Sequence, residues 1–180
     1  MALKSTIFKA TLTVADLDRN VYGEFPLTIA RHPSETDERM MVRLAAFALF
    51  ASERLSFGAG LSDADEPDLV ERDLTGAIER WIEIGLPDER NIGRACGRAR
   101  AVVVVVYGRG VDVWWSRIAA KLERYRNLTV LQVPDADTRA LGALAERTMA
   151  LSATIQDGHL LVSGAAESVA IDVVMLRSPG

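Results

Sequence analysis

Pro67-Asp68-Leu69-Val70-Glu71-Arg72-Asp73-Leu74-Thr75-Gly76-Ala77-Ile78-Glu79-Arg80-Trp81-Ile82-Glu83-Ile84-Gly85 reads as two short strands about a Thr-Gly turn. A two-residue turn at Thr75-Gly76 pairs Leu74 with Ala77. The same register sets Arg72 opposite Glu79, Glu71 opposite Arg80, Val70 opposite Trp81 and Leu69 opposite Ile82. Opposite charges and apolar pairs agree on this one register, and a slip of one residue destroys them all. At the open end Asp68 then faces Glu83. Two hydrated carboxylates so placed repel by about 0.2–1 kcal/mol. A hard divalent cation between them reverses the sign, because such ions take oxygen ligands. The pair points to a magnesium-type site for phosphate chemistry. The plainer alternative is an ordinary hairpin with solvated acids at its open end.

N-terminal to this hairpin, Phe8, Ala10, Leu12 and Val14 alternate with polar residues, as do Phe25, Leu27 and Ile29, and Asp16 to Gly23 supplies a turn. The first thirty residues are therefore expected to form a hairpin. Pro33-Ser34 opens a helix with Ser34 as N-cap and Asp37 completing a capping box. From Met40 to Ala51 this helix is apolar on most sides, which predicts burial. Glu35, Arg39 and Arg43, spaced by four, form its charged strip. Glu38 lies instead above Met41, Val42, Ala45 and Leu49, where a carboxylate needs a partner or a metal unless the first turn is exposed. A second helix starts at Pro87-Asp88-Glu89 and carries Arg90, Arg94 and Arg98 as one stripe. That stripe is either a phosphate contact beside the carboxylates or a solvated helix face.

Ala101 to Tyr107 is a continuous apolar strand, as expected where both faces are covered. Val111 to Arg126 follows as a helix, Leu128 to Val133 as a strand, and Thr138 to Met149 as a third crossover helix. The order predicts an α/β fold, with a mixed central sheet flanked by helices and its later strands parallel through right-handed crossovers. Leu151 to Ile155, His159 to Val162 and Val169 to Leu176 return to strand alternation and are expected to pair with the N-terminal hairpin. No linker separates domains, so the 180 residues are expected to form one domain.

Composition narrows the function. No apolar run approaches a membrane span. Met1-Ala2-Leu3-Lys4 lacks a secretory stretch, so a cytoplasmic location is expected. Cys96 is the single cysteine, and with only His32 and His159 beside it a zinc site has little support. There is no phosphate-binding glycine loop, no His-Glu-x-x-His and no Gly-x-Ser-x-Gly elbow. The net charge of −4 argues against tight non-specific nucleic-acid binding, although a local basic groove is compatible with it.

Several long strings are more specific than these patterns. They are Arg31-His32-Pro33-Ser34-Glu35-Thr36-Asp37-Glu38-Arg39-Met40, Trp81-Ile82-Glu83-Ile84-Gly85-Leu86-Pro87-Asp88-Glu89-Arg90, Trp114-Trp115, and Arg147-Thr148-Met149 with Ala153-Thr154-Ile155-Gln156-Asp157-Gly158. Together they make the chain resemble the YaeQ family of bacterial proteins, over essentially its whole length. The resemblance implies a variant of the PD-(D/E)XK restriction-endonuclease-like fold, with no established activity. The nuclease pattern is a helix glutamate, then Pro-Asp, then Glu-x-Lys. Carried over, it implies Glu38 (or Glu35), Asp68 and Glu83 as ligands of Mg2+ or Mn2+ and as the catalytic acids. The pattern breaks at Gly85, which stands where the lysine belongs. Losing one preorganised group of that kind costs about 10²–10³-fold in rate. Arg39, Arg94 and Lys9 are the cations that could replace it, and Arg39, Arg90 and Arg94 the candidate phosphate contacts. The expectation leans to a binding or regulatory role toward nucleic acid or protein, with the metal site degenerate. The alternative is a metal-dependent phosphodiesterase with relocated positive charge.

Overall fold

The computed structural model describes residues 4–59 and 65–180. In chain order these form β1 (Thr6–Asp16), β2 (Val21–Arg31), α1 (Asp37–Leu49), β3 (Leu55–Phe57), β4 (Leu69–Arg72), β5 (Ile78–Ile84) and α2 (Glu89–Arg98). Then come β6 (Ala101–Tyr107), α3 (Val111–Leu122), β7 (Leu128–Val133), α4 (Asp135–Gly142), β8 (Thr148–Gln156), β9 (His159–Ser163), β10 (Ser168–Ile171) and β11 (Val174–Arg177). The expected single central sheet is replaced, among the described residues, by two mixed sheets ordered β10-β9-β8-β1-β2 and β11-β7-β6-β5-β4-β3. The chain divides into two compact units, Met1–Glu53 with Ala136–Val173, and Arg54–Asp135 with Val174–Gly180. None of the described helices is long and apolar enough to cross a membrane.

In the first unit β1 and β2 pair along their full length, and β8 joins β1 in parallel from Lys9↔Thr148 to Asp16↔Ile155. The expected union of the N-terminal hairpin with the C-terminal strands therefore forms through a parallel pair. Phe8, Leu12 and Val14 are buried with Leu151, Ile155 and Val162, as strand alternation requires. Helix α1 is buried from Met40 to Ala48, and Phe47 meets Phe25 edge-on at 5.4 Å between ring centroids. Its N-cap is Thr36, whose hydroxyl accepts from Arg39 N, and not Ser34. Ser34 Oγ lies 2.6 Å from His32 Nδ1 instead, ahead of the helix.

In the second unit β5, β6 and β7 are parallel, joined through α2 and α3. β6 is an unbroken valine run, Val102 to Val106, buried on both faces. Trp81, Ile92, Ala95, Val104, Ile118, Leu122 and Val130 build the core on the helix-covered side. The chain's last strand, β11, takes the outer side of β7. The expected strand from Val169 to Leu176 is thus two strands, one in each sheet.

Other boundaries moved as well: α1 ends at Leu49 and not Ala51, and α3 at Leu122 and not Arg126. The helix expected to Met149 stops at Gly142, and Thr148 already belongs to β8, where ladder bonds to β1 outweigh local helix preference. The hairpin turn also differs. β4 and β5 hold Leu69↔Ile82, Val70↔Trp81 and Glu71↔Arg80, but a bulge then sets Arg72 opposite Ile78. Glu79 is the extra residue, so the expected Arg72–Glu79 pair is absent and Glu79 lies 3.5 Å from Arg100. A two-residue turn demands positive φ at Thr75, which a β-branched residue resists. The loop Leu74-Thr75-Gly76 confines positive φ to Gly76, at 88°.

Candidate functional site

The site expected from the sequence sits at the open end of the β4–β5 pair. Asp68 directly precedes β4 and is 9% exposed. Its carboxylate accepts the Ile84 N–H at 2.7 Å, while its own N–H bonds to Ile82 O at 2.9 Å and its carbonyl accepts from Gly58 N at 2.8 Å. Asp68 therefore ties three neighbouring backbone segments together. Glu83 lies within β5, half-buried, and one of its oxygens accepts the indole N–H of Trp81 at 3.0 Å. The register that the sequence implied does bring these acids to neighbouring positions, yet each already serves a protein donor.

Glu38 belongs to the first unit and lies on α1. It is half-buried, and its stem covers Gly142 of α4: a Cβ built on Gly142 would come within 2.8 Å of Glu38 Cγ. Among the described residues no group of three or more His, Cys, Asp or Glu is placed to hold a metal ion. Asp68 and Glu83 belong to the second unit and each accepts a protein hydrogen bond there, while Glu38 belongs to the first.

Gly85 has φ +120°, and its N–H donates to Val105 O at 3.0 Å. A Cβ there would meet no heavy atom within 4 Å beyond its chain neighbours. The glycine is held by backbone conformation and not by crowding, since only glycine adopts such an angle at little cost. A lysine is accordingly disfavoured at the position where the nuclease pattern requires one.

Of the candidate cations, Arg94 and Arg39 are engaged, while Lys9 is exposed. Arg94 pairs with the Asp65 carboxylate, and Arg98 donates to Asp65 O at 3.2 Å. Arg90, from the same stripe, is exposed. Arg39 donates to Glu35 at 3.0 Å. The strip Glu35–Arg39–Arg43 is not a solvated face. Glu35 and Arg43 are 6% and 3% exposed, and Arg43 grips Glu35 through Nε at 2.8 Å and Nη2 at 2.7 Å. Arg43 Nη2 also donates to Ala30 O at 3.0 Å, fastening α1 to β2. The i, i+4, i+8 spacing was visible in the sequence, but nothing local showed which way it faced. Asp16 is a further buried acid without a sequence signal, accepting from Arg19 N at 2.9 Å and Arg19 Nε at 2.6 Å. Burial pushes the Cys96 thiol up to about 11, only partly offset by Arg177, so it stays protonated at neutral pH.

Over nearly its whole length the chain is similar to known proteins of one family. A family model described as "YaeQ protein" matches residues 1–173. The uncharacterised YaeQ of Salmonella typhi is 46% identical over 180 residues, covering 99% of each chain. That of Escherichia coli (strain K12) is 45% identical over the same length, again covering 99% of each. The crystal structure of the YaeQ protein from Xanthomonas axonopodis pv. citri superposes with a TM-score of 0.94 at 46% identity, covering 97% of this chain and 99% of that one. The one from Pseudomonas syringae gives 0.93 at 35% identity, covering 97% of both.

Proposed function

The chain belongs to the YaeQ family, and we propose that it is a binding or regulatory protein with a degenerate metal site and a protein partner. Its frame is a variant of the PD-(D/E)XK fold, a reading supported by the β4–β5 hairpin leading into the parallel order β5-β6-β7. The observation that carries the non-catalytic reading is Gly85 at φ +120°, beside two carboxylates that accept from Ile84 N and Trp81 Nε1. Without the lysine, no side chain at this position holds an attacking water or offsets developing charge. With Arg94 and Arg98 turned onto Asp65, the helix stripe is poorly disposed to grip phosphate. A protein partner suits this surface better than a nucleic acid does.

The competing reading is a Mg2+- or Mn2+-dependent phosphodiesterase. It is favoured by the retained register Leu69↔Ile82, which keeps Asp68 and Glu83 at neighbouring positions. Incubation with supercoiled, linear and single-stranded substrates in Mg2+ and in Mn2+ separates the two. The expected result is no metal-dependent cleavage. Cleavage by the unmodified protein that disappears in Glu83→Gln would sink the non-catalytic reading.

A further inference from the structure

Gly85 turns the chain out of β5 into Leu86-Pro87, and this connection forms one wall of a cavity of about 630 Å3. α3 forms the opposite wall. The volume falls within the range of small-molecule sites, which combine an apolar lining with a few converging polar groups. Leu86, Val113, Trp114 and Ile118 line it, and Leu86 and Val113 are 41% and 54% exposed. Large apolar side chains left open in one concave place mark a binding surface more often than scattered ones do. The floor is pre-formed: the Trp114 indole N–H donates to Pro87 O at 2.8 Å, which locks the ring across the two walls. A ligand arriving here does not have to order that side chain first.

The charges on the rim are asymmetric. Arg117 and Lys121, one helical turn apart on α3, both line the cavity. Neither forms an ion pair with any described residue. The acids across the cavity are engaged: Asp88 caps α2 by accepting from Asn91 N at 2.8 Å, and Glu89 holds Arg124 at 2.5 Å. Elsewhere in this unit, Arg80, Arg94, Arg100 and Arg124 each have a carboxylate partner. The two cations at the cavity are therefore an offered positive charge beside an apolar floor.

We propose that this cavity binds small amphipathic carboxylates, the apolar body lying on Trp114 and Ile118 and the carboxylate meeting Arg117 and Lys121. The site is separate from the carboxylate pair and does not depend on whether the protein cleaves phosphodiesters. The probe is 4-phenylbutyrate, followed by two-dimensional amide and indole NMR of the full chain. Saturable shifts are expected at the Trp114 indole and at the Gly110 and Val113 amides. The neutral 4-phenylbutyramide should bind about five- to tenfold more weakly, the loss of two exposed charge contacts. Arg117→Glu with Lys121→Glu alters only exposed positions and should reverse the preference, so that 4-phenylbutylamine binds better than the acid. Gly110→Leu should abolish binding, since a Cβ there already comes within 3.3 Å of Leu86 Cδ1. Equal binding of acid and amide, shifts centred away from Trp114, or no saturation by about 10 mM would overturn the proposal.

Discussion

At Gly85 the backbone takes φ +120°, an angle that strains any side chain however much room it has. No neighbouring group limits the space, so conformational strain alone sets the cost of substitution, about 1–3 kcal/mol. Gly85→Lys and Gly85→Ala are expected to lose similar stability in thermal or urea unfolding, and the lysine to confer no Mn2+-dependent cleavage. A lysine variant as stable as wild type would show that the angle relaxes freely. Asp73 gives a second residue-level test. Its carboxylate accepts from Thr75 Oγ1 at 2.6 Å, Thr75 N at 2.8 Å and Ala77 N at 3.0 Å. The Thr75 hydroxyl, and then these backbone donors, hold its pKa below the usual 3.8 despite an opposing push from desolvation. A depressed carboxylate stabilises the fold above its unfolded pKa, and that contribution is lost as pH falls through the lower folded value. The Thr75 and Ala77 amide resonances should therefore titrate with a midpoint below 3.8, and lose that transition in Asp73→Asn. A midpoint at or above 3.8 would mean that the turn is not held by this carboxylate.

The buried pair on α1 makes the clearest prediction among the elements. Glu35 and Arg43 sit within the first unit with side chains only 1% and 4% exposed. Removing one partner of a buried pair strands the other charge, at about 3–5 kcal/mol. Glu35→Leu alone should be severely destabilising and Arg43→Met less so, because Arg39 still holds Glu35, whereas the double replacement should recover most of the Glu35→Leu loss. A double variant no better than Glu35→Leu would show that the stranded Arg43 charge is not the source of the loss. The same elements show what sequence can and cannot convey. The β4–β5 register from Leu69 to Glu71 was legible because charge and apolar pairing agreed. The bulge at Glu79 was not, because it arises from the backbone angle that Thr75 avoids. The valine run of β6 was legible because burial on both faces leaves one compositional trace. The end of α4 was not, since Thr148 joins β8 only through bonds to a strand about 140 residues earlier. Glu35 escaped for a related reason: helical spacing shows which residues share a stripe, but only tertiary packing decides that the stripe is buried.

For the molecule as a whole, the decisive quantity is charge. The chain carries −4 overall, and much of its arginine is paired internally, with Asp16, Asp37, Glu35, Glu71, Asp65 and Glu89 among the partners. The candidate acids were legible as residue types in a motif. Their engagement with Ile84 N and Trp81 Nε1 was not, because hydrogen bonds to backbone and indole leave no pattern in the sequence. Affinity for nucleic acid comes chiefly from cations that release counterions from phosphates, each contact adding about 0.9 to the salt slope on duplex DNA. Cations that already hold carboxylates must break those pairs first, and the negative total opposes approach at long range. Fluorescence anisotropy at about 50 mM salt should therefore show no saturable binding to single- or double-stranded DNA or RNA. Arg94→Ala should leave that result unchanged, since the side chain it removes is committed to Asp65. Saturable binding with a steep salt slope, flattened in Arg94→Ala, would reverse the assignment: Arg94 would have left Asp65 for a phosphate, and the partner would be nucleic acid instead of protein.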